Sequence, residues 1–178
     1  MKIILGIILM WGTICLGQNL VYPGDEITTP GLYNWAGGTD LTNIGRGTAI
    51  YIDADSVEIN FSTSWIQCHH NLCFLGIGPN ASHVTIRGLK LSARYPWEIY
   101  GSDVRFVDCE VTGPLAGDYF AEAWGSDGVR FENCFLSGKF LFTNCQGVNI
   151  DSCNFFNARI DADSTTGMTV TNTEFKSI

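Results

Sequence analysis

The sequence predicts an all-β solenoid. Three observations carry that expectation. A short phrase recurs at a period near twenty residues, its apolar places fit no flat strand, and no long 3.6-residue apolar period occurs after residue 17.

The phrase is "VTIRGLKL" from Val84, "VRFVDCEV" from Val104, "VRFENCFL" from Val129, "VNIDSCNF" from Val148 and "MTVTNTEF" from Met168. Successive starts lie 20, 25, 19 and 20 residues apart, and a weaker copy, "VEINFSTS", starts at Val57. Apolar residues hold the first and third places, as in Val104 and Phe106 or Val129 and Phe131. Apolar residues, Cys or Thr hold the sixth and eighth, as in Cys109 and Val111 or Thr173 and Phe175. Strand side chains alternate with period two, so one flat strand cannot turn all four inward. The side must change between the third and sixth places. Gly88, Asp108, Asn133, Ser152 and Asn172 occupy the fifth place. Gly, Asn and Asp accept left-handed backbone angles most readily. A sharp corner is therefore expected there, with both flanking strands facing inward.

"EIYGSD" from Glu98 and "EAWGSD" from Glu122 precede two copies of the phrase and form the preceding wall of the coil. Trp97 and Ile99 are expected to face in above Ala121 and Ala123, followed by Phe140 and Phe142, then Ile160 and Ala162. Large over small over large is stacking that fills a core. Both six-residue stretches are expected to share one Gly-Ser-Asp turn.

The Val-x-Phe-x-Asn-Cys type phrase, from about Val57 to Phe175, resembles the right-handed parallel β-helix superfamily of pectate-lyase-like repeat proteins. The resemblance implies a single-stranded parallel β-helix with coils of about 19–27 residues. It implies little about activity, since the scaffold serves lyases, hydrolases, adhesins and viral spikes. Residues 49–178 form the expected β-helix. Residues 18–48, with "YPGDEITTPG" and "WAGGTD", are turn-rich and are expected to form its entry and cap. Residues 1–17 combine Lys2, an apolar run from Ile3 to Leu16 and the small residue Gly17, the pattern of a cleaved secretory signal peptide. The run is shorter than the roughly 20 residues of a spanning helix. A secreted or cell-surface protein is the expectation.

Without Lys2, the ten basic residues become 9 against 18 acidic ones, a net charge of −9. So acidic a chain is not expected to bind nucleic acid or anionic lipid. "CHHNLC" is the most metal-like stretch, with Cys68, His70 and Cys73 as zinc-ligand candidates. A second Cys/His cluster to complete a tetrahedral site is missing. A local Cys68–Cys73 disulfide ranks ahead of free core thiols, and zinc comes third. Cys109, Cys134 and Cys153 share one place in consecutive coils and are expected to form a reduced internal ladder, with Cys145 an ordinary core thiol.

The resemblance implies particular catalytic equipment. Polygalacturonase-like members carry adjacent aspartates and a Gly-His-Gly phrase, and neither occurs in this sequence. Lyase-like members bind calcium through clustered acids and use a basic residue to take a proton. Arg87, Arg105 and Arg130 lie on the strand before the corner, where solvated outward ladders are the expectation. No cofactor is expected, and calcium is the one ion the resemblance leaves open.

The outward side of the "EIYGSD" wall carries the site expectation. If Ile99 and Ala123 face in, Glu98 and Tyr100 face out beside Glu122 and Trp124, with Asp161 and Asp163 at matching places two coils on. Aromatic faces stack on sugar rings and carboxylates accept hydroxyl hydrogen bonds. The expected function is a non-catalytic extracellular module, an adhesin, fibre or spike component facing a polysaccharide or cell-surface glycan. The alternative is a small polysaccharide lyase or glycoside hydrolase with Glu98 and Glu122 as paired acids. An exposed wall covered by a neighbouring subunit, or self-association through the C-terminal coil, is the competing use of the same surface.

Overall fold

The computed structural model describes residues 19–42, 47–61, 65–68, 72–113 and 121–177. Their regular structure is all β, and no helix occurs among them. One sheet has eight strands in chain order: Asn19–Val21, Gly31–Trp35, Val57–Asn60, Ser82–Arg87, Ser102–Val107, Arg130–Glu132, Asn149–Asp151 and Thr169–Thr171. Every neighbouring pair in it is parallel. From Ile59 onward, paired residues are 27, 20, 25, 19 and 20 positions apart, the spacings of the sequence phrase.

The second sheet is strongly curled and has two arms. One arm holds Asp25–Ile27, Gly47–Ile52, Leu72–Ile77, Tyr95–Ile99 and Ala121–Trp124. The other holds Asp40–Leu41, Ile66–Cys68, Lys90–Ser92 and Glu110–Thr112. The arms join because the long strand Phe135–Thr143 pairs with Glu110–Thr112 through its first half and with Ala121–Trp124 through its second. Gly138 lies at that junction with φ +118°, and a Cβ there would come within 3.3 Å of the Gly113 backbone. These parallel sheets are compatible with a β-helix or a β-roll. Residues 19–41, expected as a turn-rich cap, contribute strands to both sheets.

The fifth-place corner is present in all five strong copies, and the weaker copy from Val57 lacks it, with Phe61 at that place. Gly88, Asp108, Asn133, Ser152 and Asn172 have φ of 65°, 55°, 54°, 54° and 49°. Two further left-handed columns were not foreseen. Ser56, His83, Asp103, Gly128, Gly147 and Gly167 each directly precede the first apolar place, and Gly125, Asn144 and Ser164 each end the aromatic wall. The shared Gly-Ser-Asp turn is a correction. Gly125 is left-handed, whereas Gly101 is held by close backbone approach, since a Cβ there would lie 2.6 Å from the Ala81 carbonyl oxygen.

The interior is almost wholly apolar, with Ser126 and Thr143 the buried polar residues among those described. Val84, Ile86, Val104, Phe106, Val129, Phe131, Val148 and Ile150 are buried, and Phe106 stacks on Phe131 at 5.1 Å. Trp97 reaches across small Ala121 to Phe140, ring centres 5.9 Å apart, as the large-small-large reading requires. Dense packing of this kind is sensitive to any lost volume. Phe131→Ala should therefore cost about 3–5 kcal/mol. Arg130→Ala, its half-exposed outward neighbour, should change stability by only about 0.5 kcal/mol. Chemical denaturation of both variants checks the register, and equal losses would contradict it.

Candidate functional site

The outer face of the first arm is built by alternation. Ile52, Ile77, Ile99, Ala123 and Phe142 are buried and in register. The residues before them therefore face out. These are Tyr51, Gly76, Glu98, Glu122 and Leu141, with Asp161 following in register. The residues after the inward column include Tyr100 and Trp124, which are 46% and 39% exposed. That exposure is large for aromatic rings and marks this face. Trp124 donates its indole N–H to Glu122 Oε2 at 2.8 Å, which orients both side chains. The Tyr100 phenol is held above its ordinary pKa, first by partial burial and then by the nearby Glu98 and Glu122 charges.

Sequence reasoning missed part of this surface. A Cβ at Gly76 would lie 2.8 Å from the Tyr51 ring, and one at Gly78 would lie 2.5 Å from the Tyr51 hydroxyl. Tyr51 therefore lies flat across a shelf that two glycines leave clear. The "GIG" of Gly76-Ile77-Gly78, with both glycines on one side of a strand, was the available signal.

Asp161 and Asp163 are set apart from Glu98 and Glu122. Leu141 and Thr143 lie between the two acidic rows. Asp161 is already paired, with Arg159 at 2.7 Å and Lys139 at 3.7 Å. Asp163 accepts a hydrogen bond from the neighbouring Ser164 hydroxyl.

The metal-like stretch is only partly visible, since His70 lies outside the described residues. Burial pushes the Cys68 and Cys73 thiols up to about 12. All six described cysteines are free thiols, so the expected Cys68–Cys73 bridge is not formed in the structure. Among the described residues, no three His, Cys, Asp or Glu side chains come together in a way that could hold a metal ion. Cys109, Cys134 and Cys153 are buried and act as donors. Their thiols reach the carbonyls of Ile86, Phe106 and Phe131 in the preceding coil.

An open groove of about 740 Å³ lies elsewhere, outside the eight-stranded sheet, lined by Arg130, Glu132, Asn149, Asp151, Thr169 and Thr171. Its polar groups largely satisfy one another: Thr171 donates to Asp151 at 2.6 Å and Asn149 donates to Thr169 at 3.0 Å. The wall, with exposed rings and carboxylates, is the better candidate.

No family model, curated protein or solved structure matches the chain. The surface has to be judged on its own chemistry.

A polar string across the left-handed corners was also missed. His83 Nδ1 lies 2.9 Å from Asp55, and the Ser82 hydroxyl donates to the same carboxylate at 2.5 Å. His83 Nε2 lies 3.7 Å from Asp103, which in turn pairs with Arg130 at 3.4 Å. Ser82 and Asp55 share one ring nitrogen, so the histidine cannot relay a proton between them as a catalytic triad does. The string is an inter-coil tie. The Asp55 hydrogen bond and charge raise the His83 pKa above its ordinary 6.5. A raised histidine stabilises the fold fully below the unfolded value and loses that contribution as pH rises through the folded one. Asp55 is lowered, so its share is lost only as pH falls through its depressed value, below 3.8. The melting temperature should therefore decline slightly as pH rises above 6.5. His83→Asn, which tolerates the same backbone angle, should abolish that decline. An unchanged pH profile in the variant would contradict the tie.

Proposed function

We propose that the chain is a secreted, single-stranded parallel β-helix of the pectate-lyase-like kind, acting as a non-catalytic module that binds a polysaccharide or cell-surface glycan. The parallel pairing at about twenty-residue spacing supports the fold reading. The segment from Lys2 to Gly17 supports export. One observation carries the function: Trp124 ends one strand and Tyr100 directly follows the neighbouring one, both exposed, with Glu98 and Glu122 in register beside them. Flat apolar faces edged by hydrogen-bond acceptors are what sugar rings and their hydroxyls require. The absence of adjacent aspartates and of a Gly-His-Gly phrase favours binding over cleavage. Exposed Val170 and Phe175 on the last strands offer a second use, self-association through the C-terminal coil.

Glycan-array binding by the mature protein, with its mass in solution, tests this reading. Trp124→Ala should leave the melting temperature nearly unchanged and weaken glycan binding about thirtyfold, the ~2 kcal/mol of an aromatic hot spot. Unfolding of the variant would make Trp124 a core residue. Loss of reducing-end or unsaturated-product silence, meaning measurable turnover of any polysaccharide, would move Glu98 and Glu122 to a hydrolase or lyase role.

A further inference from the structure

The charge pattern of the same wall narrows the class of glycan, on the premise that the wall binds glycan at all. Five outward carboxylates elsewhere in the sheets have cations beside them, whereas Asp151 and Asp163 are held by hydroxyl or amide donors. Glu58 pairs with Arg87, Glu110 with Lys90, Glu132 with Arg105, Asp103 with Arg130, and Asp161 with Lys139 and Arg159. Glu98 and Glu122 form no ion pair among the described residues. They are nonetheless register partners on adjacent parallel strands, where backbones lie about 4.8 Å apart. Like charges so placed repel unless a cation lies between them. Glu98 and Glu122 both add to the raised pKa of Tyr100, and Glu98 adds to that of Cys73 after burial. Aromatic rings flank the pair, with Tyr51 across the Gly76 and Gly78 shelf on one side and Tyr100 and Trp124 on the other. Ring faces attract ammonium groups as carboxylates do.

We propose that this wall selects a glycan bearing protonated amines, an amino-sugar polymer, and seats an ammonium group between Glu98 and Glu122. Uronate polymers are disfavoured there, because their carboxylates meet two unpaired anions and a chain of net charge −8. Aromatic stacking holds the sugar ring, and the paired carboxylates decide which ring it is.

The test compares three probes by calorimetry at mildly acidic pH with a chelator present: a glucosamine oligomer, its N-acetylated counterpart, and an oligogalacturonate. Wild type should bind the glucosamine oligomer most tightly. Glu98→Gln with Glu122→Gln keeps shape and removes charge. It should weaken that binding at least about tenfold, the scale of a charged hydrogen bond, and weaken binding of the acetylated oligomer clearly less. If the double variant melts lower, the salt dependence of wild type decides instead. Affinity for the glucosamine oligomer must then fall with added salt, and that for the acetylated one must not. Equal binding of the first two probes, or preference for the oligogalacturonate, overturns the amine inference and leaves glycan binding standing. No binding of any probe, together with a silent glycan array, overturns both.

Discussion

The structure depends on how each coil turns its corners without losing register. At two of the corners, a left-handed residue is followed by a small side chain that donates a hydrogen bond. After Asp108, Asn133, Ser152 and Asn172 come Cys109, Cys134, Cys153 and Thr173. After Gly125, Asn144 and Ser164 come Ser126, Cys145 and Thr165. Ser126, Cys145 and Thr165 donate to the carbonyls of Ile99, Ala123 and Phe142 in the preceding coil. The first three thiols do the same at the other corner. Cys, Ser and Thr are interchangeable there because each is small enough to be buried and carries one donor. This explains a cysteine-rich core without disulfides. Cys109, Cys134, Cys145 and Cys153 lie within reach both of a carbonyl in the preceding coil and of the carbonyl two residues back in their own, and the left-handed residue before each changes the side to which the following strand faces.

The wall's chemistry follows from that register. With Ile99 against Ala123 and Ala123 against Phe142, Glu98 can only stand over Glu122, and Tyr100 and Trp124 can only face solvent. A shift by one residue would exchange the two faces. The outward ladders differ in consequence. Most are cross-coil pairs of opposite charge on side chains about two-fifths exposed, worth little individually. Among the described residues, Glu98 and Glu122 have no such partner and stand in register with each other. On the proposed function, this surface of carboxylates and exposed rings serves binding rather than stability.

Much of this was legible in the residues. The inward positions of Val104, Phe106, Val129 and Phe131 followed from spacing alone, because a repeated apolar pattern has one consistent burial. The fifth-place corner followed from residues that tolerate left-handed angles. The corner before each phrase was harder to see. It holds Ser56, His83 and Asp103 before it settles to glycine at 128, 147 and 167, so no single residue type announces it. The same heterogeneity hid the tie from Asp55 through His83 to Asp103, whose members come from three coils. Tyr51 was missed because its role depends on the absence of side chains at Gly76 and Gly78. The alternate face of Asp161 was read correctly, but its neutralisation by Lys139 and Arg159 was not, since one partner lies two residues away and the other on the next strand.

The register between neighbouring coils is the claim on which core, wall and site all rest. Nuclear Overhauser contacts between backbone amides and side-chain methyls of the protein measure it directly. The account predicts contacts joining Ile99 to Ala123, and Ala123 to Phe142. Contacts joining Ile99 to Trp124 instead would place the indole inside, bury the proposed binding face and contradict the account.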